Sequence, residues 1–352
     1  MRITSIMVQA NITKTLNNQM DRLYKINNDV SSGVRIHKGS DDPFGTSLSL
    51  RYDEDIDQTE QWIKNSDSGK EWIAHTTQIL DQVQNVTQQI YSKAIQGDND
   101  TITQEEKDTL ALLINEQLEE IVDLTNNSYN GKKIFNGDII NASPFYAVKN
   151  KEGDITNVAV FNGFVDGNPQ NPEYIYYREE NDGSHTGIYI DKNGKEKNII
   201  ANDQSFGNVS ISGSMNRRVS SSEIVNIAIS GTDTFMKNGP GAEGDLFSSI
   251  IKIRDSLRGE IDNENGSEID DLVKNMENIT ASQSRSGILY TRLELAKSVL
   301  ETDKIELNDA LSRVKDTDIS EAMMNYNKYE VAYNMALNMS ARILQTSLVD
   351  YM

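Results

Sequence analysis

Cysteine is absent from the 352 residues, which removes disulfide scaffolds, thiolate zinc sites, iron–sulfur clusters and cysteine nucleophiles. Long apolar runs are lacking too. The longest, residues 110–114, is five residues, far short of the ~20 that cross a membrane. Residues 1–9 hold no apolar stretch of the kind a Sec-type signal peptide needs, which taken alone points to the cytoplasm. Basic charge is scarce: 34 Lys and Arg stand against 54 Asp and Glu, a formal net charge of −20 that disfavours nucleic acid as a partner. Proline is held to five residues, and four of these, with 12 of the 22 glycines, fall between Asn141 and Gly244. The two flanks are therefore almost free of helix breakers, and the middle is rich in turn formers.

Signs of chemistry are equally thin. His37, His75 and His185 lie in three separate segments, none in an HExxH pattern, and each reads as a surface or packing residue. Residues 191–196 lack the 12-residue calcium-loop pattern and read better as a hairpin turn. Neither GxxxxGK[ST] nor GxGxxG occurs, so no phosphate cradle is indicated. No catalytic residue, metal site or cofactor is expected, and an enzyme housed in the middle segment is the least favoured reading.

What is present is periodicity. Ile12, Leu16, Gln19, Leu23, Ile26 and Val30 are spaced 4-3-4-3-4, the a/d stripe of a coiled coil, ending at the capping glycine Gly33. A second helical stretch is expected from about 46 to 96, with Leu48, Tyr52, Ile56 and Ile63, then Ile73, Leu80, Val83 and Ile90, on one face. Thr103 and Glu106 form a capping-box pattern that opens a third. Leu246, Ile250, Ile253 and Leu257 give a short stripe. From Ile269 to Val314 a strict 3/4 alternation runs through 14 positions, ten of them apolar. Its exceptions Gln283 and Ser286 suggest a kink or weakened packing over 281–287. A last helix follows Asp318. Patterns this long point to a coiled coil, and each terminal stripe is the natural partner of the other. The fold expected is mainly α with a β-rich insertion, a long antiparallel helical coiled-coil rod built from both termini. Residues 1–42 and 312–352 would be terminal assembly helices, 43–140 and 232–311 the helical rod domain, and 141–231 an outer β-rich module. Its strands are expected at 145–148, 158–161, 174–177, 187–190, 197–200, 208–211 and 224–227, with Asn193-Gly194 a strong hairpin signal.

Two surface features stay open at this level. From Asp98 to Asp123 there are nine acids against one lysine, which reads as a docking face or, more simply, a solvated helix surface. Met323, Met324, Met335 and Met339 of the last helix read as an adaptable binding surface or as core.

The segment from Val30 to Pro43, Val-Ser-Ser-Gly-Val-Arg-Ile-His-Lys-Gly-Ser-Asp-Asp-Pro, resembles the signature that follows the first helix of bacterial flagellins and their junction relatives. Ser40-Asp41-Asp42-Pro43 is similar to the form found in the hook-associated protein 3 family, the flagellar hook–filament junction proteins. The opening Met1-Arg2-Ile3-Thr4 and the segment Asn130 to Gly137 look like that family, although Lys132-Lys133 stand where it more often has Arg-Tyr. Residues 314–322 and 341–352 are similar to its C-terminal pattern. The family signature is carried here by Ser32, Gly33, Arg35, Ser40, Asp41, Asp42 and Pro43.

The resemblance implies a structural protein of the bacterial flagellum, joining the hook to the filament by helical self-assembly and needed for motility. A flagellin filament subunit is the alternative. It implies export through the flagellar type III apparatus without a cleaved signal, and so an extracellular place in the flagellum. Implied partners are further copies of itself as a ring or helical oligomer, the first hook-associated protein, flagellin and an export chaperone; neither nucleic acid nor membrane is among them. Leu16, Leu23, Ile26, Val30, Tyr326, Met335, Ile343 and Leu348 are the candidate assembly residues. The outermost helices are expected to order only when they bundle, because two isolated helices with one apolar stripe each have little to pack against.

Overall fold

A computed structural model describes residues 5–99, 101–137, 139, 142–164, 172–179, 185–191, 196–198, 213–236, 244–260 and 266–349. Helices α1 (Ser5–Ser32), α2 (Pro43–Gly97) and α3 (Gln104–Thr125) come first. Short strands β1 (Ser128–Tyr129) and β2 (Lys132–Lys133) follow, then β3 (Phe145–Lys149), β4 (Ile155–Phe164), β5 (Pro172–Glu179), β6 (His185–Asp191) and β7 (Glu196–Asn198). Strands β8 (Asn216–Arg218) and β9 (Ile224–Asn226) lead into α4 (Gly231–Phe235), α5 (Leu246–Leu257), α6 (Gly266–Lys315) and α7 (Ile319–Val349). The chain divides into two compact units, Met1–Gln61 with Leu300–Met352, and Trp62–Val299.

In the first unit the C-terminal end of α1 meets the N-terminal end of α7, and the two helices pack antiparallel. The α1 stripe Ile12, Leu16, Gln19, Leu23, Ile26 and Val30 is half-buried, as are Tyr326, Tyr329 and Tyr333 of α7. Arg22 adds a cation–π contact, its guanidinium carbon 5.7 Å from the Tyr329 ring centre. The start of α2 runs antiparallel to the end of α6, tied by Asp53–Lys315 (3.7 Å) and Glu60–Lys304 (2.7 Å). Helix α2 begins at Pro43, three residues earlier than its apolar pattern suggests. Asp42 caps it and proline, lacking an N–H, suits the first helical position.

In the second unit α2 and α6 again run antiparallel, tied by Asp67–Lys297 (2.8 Å), Lys70–Glu294 (2.9 Å) and Asp81–Gln283 (2.8 Å). The core joins Leu80, Val83 and Ile90 of α2 with Ile114, Leu118 and Ile121 of α3. Ile250 and Leu257 of α5 and Leu272, Ile279 and Leu293 of α6 complete it. The capping box at the start of α3 forms as expected: the Thr103 hydroxyl accepts from the Glu106 N–H while the Thr103 N–H donates to the Glu106 carboxylate (3.0 Å). Over 281–287, where a kink or weakened packing is expected, helix α6 runs on without a break. Ser286 is fully buried and its hydroxyl donates to the Ser282 carbonyl (3.0 Å), Ser284 donates to the Thr280 carbonyl (2.9 Å), and the Ser282 hydroxyl meets that of Thr234 on α4 (3.0 Å).

Strands β3-β4-β5-β6-β7 form an antiparallel meander in sequence order. One face, with Phe145, Val158 and Val160, joins the helical core, where Phe135, Phe145, Phe235 and Phe247 cluster with ring centres 5.2 to 6.3 Å apart. The other face buries Ala159, Phe161, Tyr174, Tyr176, Ile188 and Ile190. The turn expected at 193–194 and the strand expected at 208–211 lie outside the described residues. Two arginines, Arg254 on α5 and Arg258 at its C-cap, anchor the sheet. Arg254 is buried, and its Nη1 donates to Asn115 Oδ1 of α3 (2.8 Å) and to the Ile155 carbonyl of β4 (2.6 Å). Its Nε and Nη2 meet Asp255 Oδ1 at 2.7 and 2.5 Å. Arg258 grips Asp154 with two nitrogens at 2.7 and 3.1 Å, and that pairing holds the Asp154 carboxyl below the usual range.

The segment Asn130 to Gly137 gains a physical explanation. Asn130 (φ 52°) and Gly131 (φ 77°) make the left-handed turn of the β1–β2 hairpin. Phe135 is core, and the buried Asn136 side chain donates to the Ala142 carbonyl (2.9 Å). Gly137 (φ 64°) lies so close to Gly213 that a Cβ would fall 2.1 Å from that residue's Cα.

Candidate assembly surface

The signature residues build a clasp between the turn that follows α1 and the turn that follows α6, all within the first unit. Gly33 takes φ 73°, a left-handed cap that only glycine adopts cheaply, and its N–H donates to the Asp29 carbonyl (2.9 Å). The Gly33 carbonyl accepts from the Thr317 N–H (2.9 Å), and the Arg35 N–H donates to the Lys315 carbonyl (2.7 Å). Arg35 Nη2 then bridges the Val314 carbonyl (2.9 Å) and Asp42 Oδ2 (3.2 Å). The Ser32 hydroxyl donates to the Asn28 carbonyl (2.8 Å) and accepts from the Val34 N–H (3.2 Å). His37 joins in through Nε2, 2.9 Å from the buried Asp29. One backbone turn is thus stitched to another that is about 280 residues away in sequence.

Two carboxylates set the loop's shape. The Lys38 N–H donates to Asp41 Oδ2 (3.0 Å) and holds the Asp41 carboxyl below its usual range, with Lys25 3.6 Å away. The Gly45 N–H donates to Asp42 Oδ1 (2.9 Å) and, with Arg35, holds Asp42 low as well. Ser40 lies in the same turn, and Pro43 opens α2. A group with a depressed folded-state pKa contributes stability that is complete above its unfolded value, about 3.9 for Asp, and is lost as pH falls through the folded value. Asp42→Asn retains a capping oxygen but loses the charge. It is expected to melt below wild type at neutral pH and to converge with it in acid, as followed by circular dichroism. A gap that persists in acid would mean the loss is steric.

Beside the clasp is an open recess of about 440 Å³ lined by Gly39, Pro43, Thr46, Ser47, Leu50 and Glu54, with Arg51 on its wall. Phe44, 80% exposed, stands next to Pro43 in the chain. The outward face of α7 is apolar as well: Met324 (64% exposed), Val331 and Met335 (62% exposed) recur at seven- and four-residue steps, opposite the side that faces α1.

The eight candidate assembly residues therefore separate into kinds. Leu16, Leu23, Ile26, Val30 and Tyr326 are half-buried within the α1–α7 pair, and Met335 points outward. The side chains of Ile343 and Leu348 lie outside the described set. Sequence reasoning did not anticipate the Arg35 bridge, since its carbonyl acceptor on Val314 is invisible to local pattern. Among the described residues no group of three or more His, Asp or Glu side chains is placed to hold a metal ion, and no helix is long and apolar enough to cross a membrane.

Comparison with known proteins gives these features a context. The bacterial flagellin N-terminal helical region matches residues 3–139, and the bacterial flagellin C-terminal helical region matches residues 269–352. A flagellin of Xenorhabdus nematophila is 29% identical over 141 residues, 39% of this chain and 42% of that protein. A phase 2 flagellin of Salmonella abortus-equi is 30% identical over 139 residues, 38% of this chain and 26% of that protein. The chain thus spans less than half the length of the curated relatives it matches. Among solved structures, a candidate flagellar hook-associated protein from Vibrio parahaemolyticus shares the fold at 13% identity with a TM-score of 0.55, covering 78% of this chain and 100% of that one.

Proposed function

The chain belongs to the bacterial flagellin family, and from that premise we propose that it is a structural subunit of the bacterial flagellum that joins the hook to the filament by self-assembly. The observation that carries the reading is the α1–α7 pair: two terminal helices that bury one stripe against each other while α7 keeps a second, methionine-rich face exposed. Such a face is a surface awaiting neighbours, and methionine adapts to more than one of them.

The sequence Ser40-Asp41-Asp42-Pro43, similar to the form of the hook-associated protein 3 family, supports the junction role, and a candidate hook-associated protein shares the fold. The curated relatives named above are flagellins, which supports the filament subunit as the second reading. In either role residues 1–42 and 312–352 act in assembly, 43–140 with 232–311 form the helical rod domain, and 141–231 is an inserted module. The subunit leaves the cell by type III export without a cleaved signal, is held by a chaperone beforehand, and works outside the cell between the first hook-associated protein and flagellin.

Deleting the gene and imaging flagella by electron microscopy tests this. Bare hooks with flagellin monomers shed into the medium are the expected result. Intact filaments would overturn the junction role, and loss of the major secreted flagellar protein itself would favour the filament subunit.

A further inference from the structure

Within the second unit two outward helical stripes match in spacing and length and are opposite in charge, every position exposed but the half-buried Glu119. On α6, Ala281, Arg285, Ile288, Arg292, Leu295 and Val299 keep 4-3-4-3-4 spacing and are all exposed, Ile288 at 69% and Leu295 at 67%. This stripe lies opposite the one that buries Leu272, Ile279, Ser286 and Leu293. On α3, Glu105, Thr109, Leu112, Glu116, Glu119 and Asp123 keep the same 4-3-4-3-4 spacing, opposite the buried Leu110, Ile114, Leu118 and Ile121. Leu112, 54% exposed, sits among the carboxylates with Leu113 beside it. Each stripe covers the same rise, about 27 Å. The α6 stripe carries two arginines and no acid, and the α3 stripe carries four acids and no base.

We propose that the α3 stripe of one subunit packs as a two-helix seam against the α6 stripe of a second copy. Pairing by charge excludes the like-with-like alternatives. Two α3 faces would oppose eight carboxylates on a chain whose formal net charge is already −20, and two α6 faces would set arginine against arginine with no acid between them. In the mixed pairing Leu112 meets the apolar positions Ile288 and Leu295 while carboxylates meet guanidiniums, the division of labour of a coiled-coil seam. Arg292 is held in place by Glu223 (Nη2 to Oε1, 2.8 Å) and Glu119 by Lys149 (2.8 Å), so among the described residues Arg285, Glu105, Glu116 and Asp123 are the stripe charges left to choose the partner. Because the contact joins two different faces of one chain, it repeats from subunit to subunit and produces a ring or a helix rather than a closed pair.

The inference rests on the self-assembly reading, and the test separates the two. Glu116→Arg and Arg285→Glu are made singly and together in the full chain, and assembly is followed by sedimentation and electron microscopy, with circular dichroism confirming the fold of each variant. Each single variant is expected to raise the concentration needed for assembly by about tenfold. The double variant, which restores opposite charges across the seam, is expected to return to within about threefold of wild type. Wild-type assembly with both single variants unaffected would overturn the seam and leave self-assembly standing. Two defective single variants with no recovery in the double would overturn the pairing of these two faces. Failure of the wild-type chain to assemble would overturn the self-assembly reading and the seam with it.

Discussion

Replacing Arg254 by alanine is expected to destabilise the unit of residues 62–299 by about 3–5 kcal/mol, the cost of removing one partner from a buried charged cluster. The guanidinium is satisfied by Asn115, by the Ile155 carbonyl and by Asp255, so its loss removes bonds to α3, β4 and α5 together; Asn115 Oδ1 keeps the Ile155 N–H (3.2 Å), while the Ile155 carbonyl and the half-buried Asp255 carboxylate lose their cation. For a unit of this size the melting temperature would fall by about 6–20 °C. Burial already raises the Asp255 carboxyl, with Arg254 opposing that rise. Without Arg254 the folded-state value climbs further. A raised carboxyl is tolerated below its unfolded value, about 3.9, and penalises folding as pH rises through the folded one, so the variant's deficit should be widest at neutral pH and shrink toward pH 4. Thermal melts across that range decide it. A melting temperature within a degree of wild type would show that the cluster is replaceable by water. A deficit independent of pH would show that lost packing dominates over the stranded Asp255.

Arg254 also marks the limit of what local pattern conveys. Positions 246, 250, 253 and 257 announce the buried stripe of α5, and all four are buried. Arg254 lies next to that stripe and reads as its solvent edge. It is buried because β4 and α3 close over it, and both are distant in sequence. The same reason hides the clasp, where Arg35 finds its acceptor on Val314. The long stripe from 269 to 314 was legible because a 3/4 period is a property of one helix, whereas the partner that the Ser282 hydroxyl finds on Thr234 of α4 is distant in sequence. Very short elements stayed silent for another reason. Strands β1, β2 and β8 have two or three residues, too few for an alternation to register, although Asn130-Gly131 is a recognisable hairpin turn. The five-residue α4 likewise has no room for a stripe.

The terminal helices permit a sharper test of assembly than deletion, because their two apolar faces can be broken separately. Leu23→Asp places a carboxylate in the half-buried seam between α1 and α7, and Met335→Asp places one on the outward face of α7. Each burial of a leucine or methionine side chain is worth ~1.5–3 kcal/mol, and a carboxylate in its place adds a desolvation cost. A loss of about 3 kcal/mol per contact raises the assembly concentration about a hundredfold, so both variants should fail to assemble under conditions where wild type does. Their monomers should differ. Leu23→Asp attacks the pairing of α1 with α7, so the helical signal should drop and amide protection in both helices should fall, while the unit of residues 62–299 melts as before. Met335→Asp leaves that seam untouched, so helicity and melting should stay at wild-type values with assembly alone lost. Free wild-type subunits should show weak amide protection in α1 and α7 that rises on assembly, since one shared stripe is a thin interface for two helices of this length. Normal assemblies from Leu23→Asp would show that the α1–α7 seam is dispensable. Normal assemblies from Met335→Asp alone would leave the seam in place and remove the outward methionine face from the assembly surface.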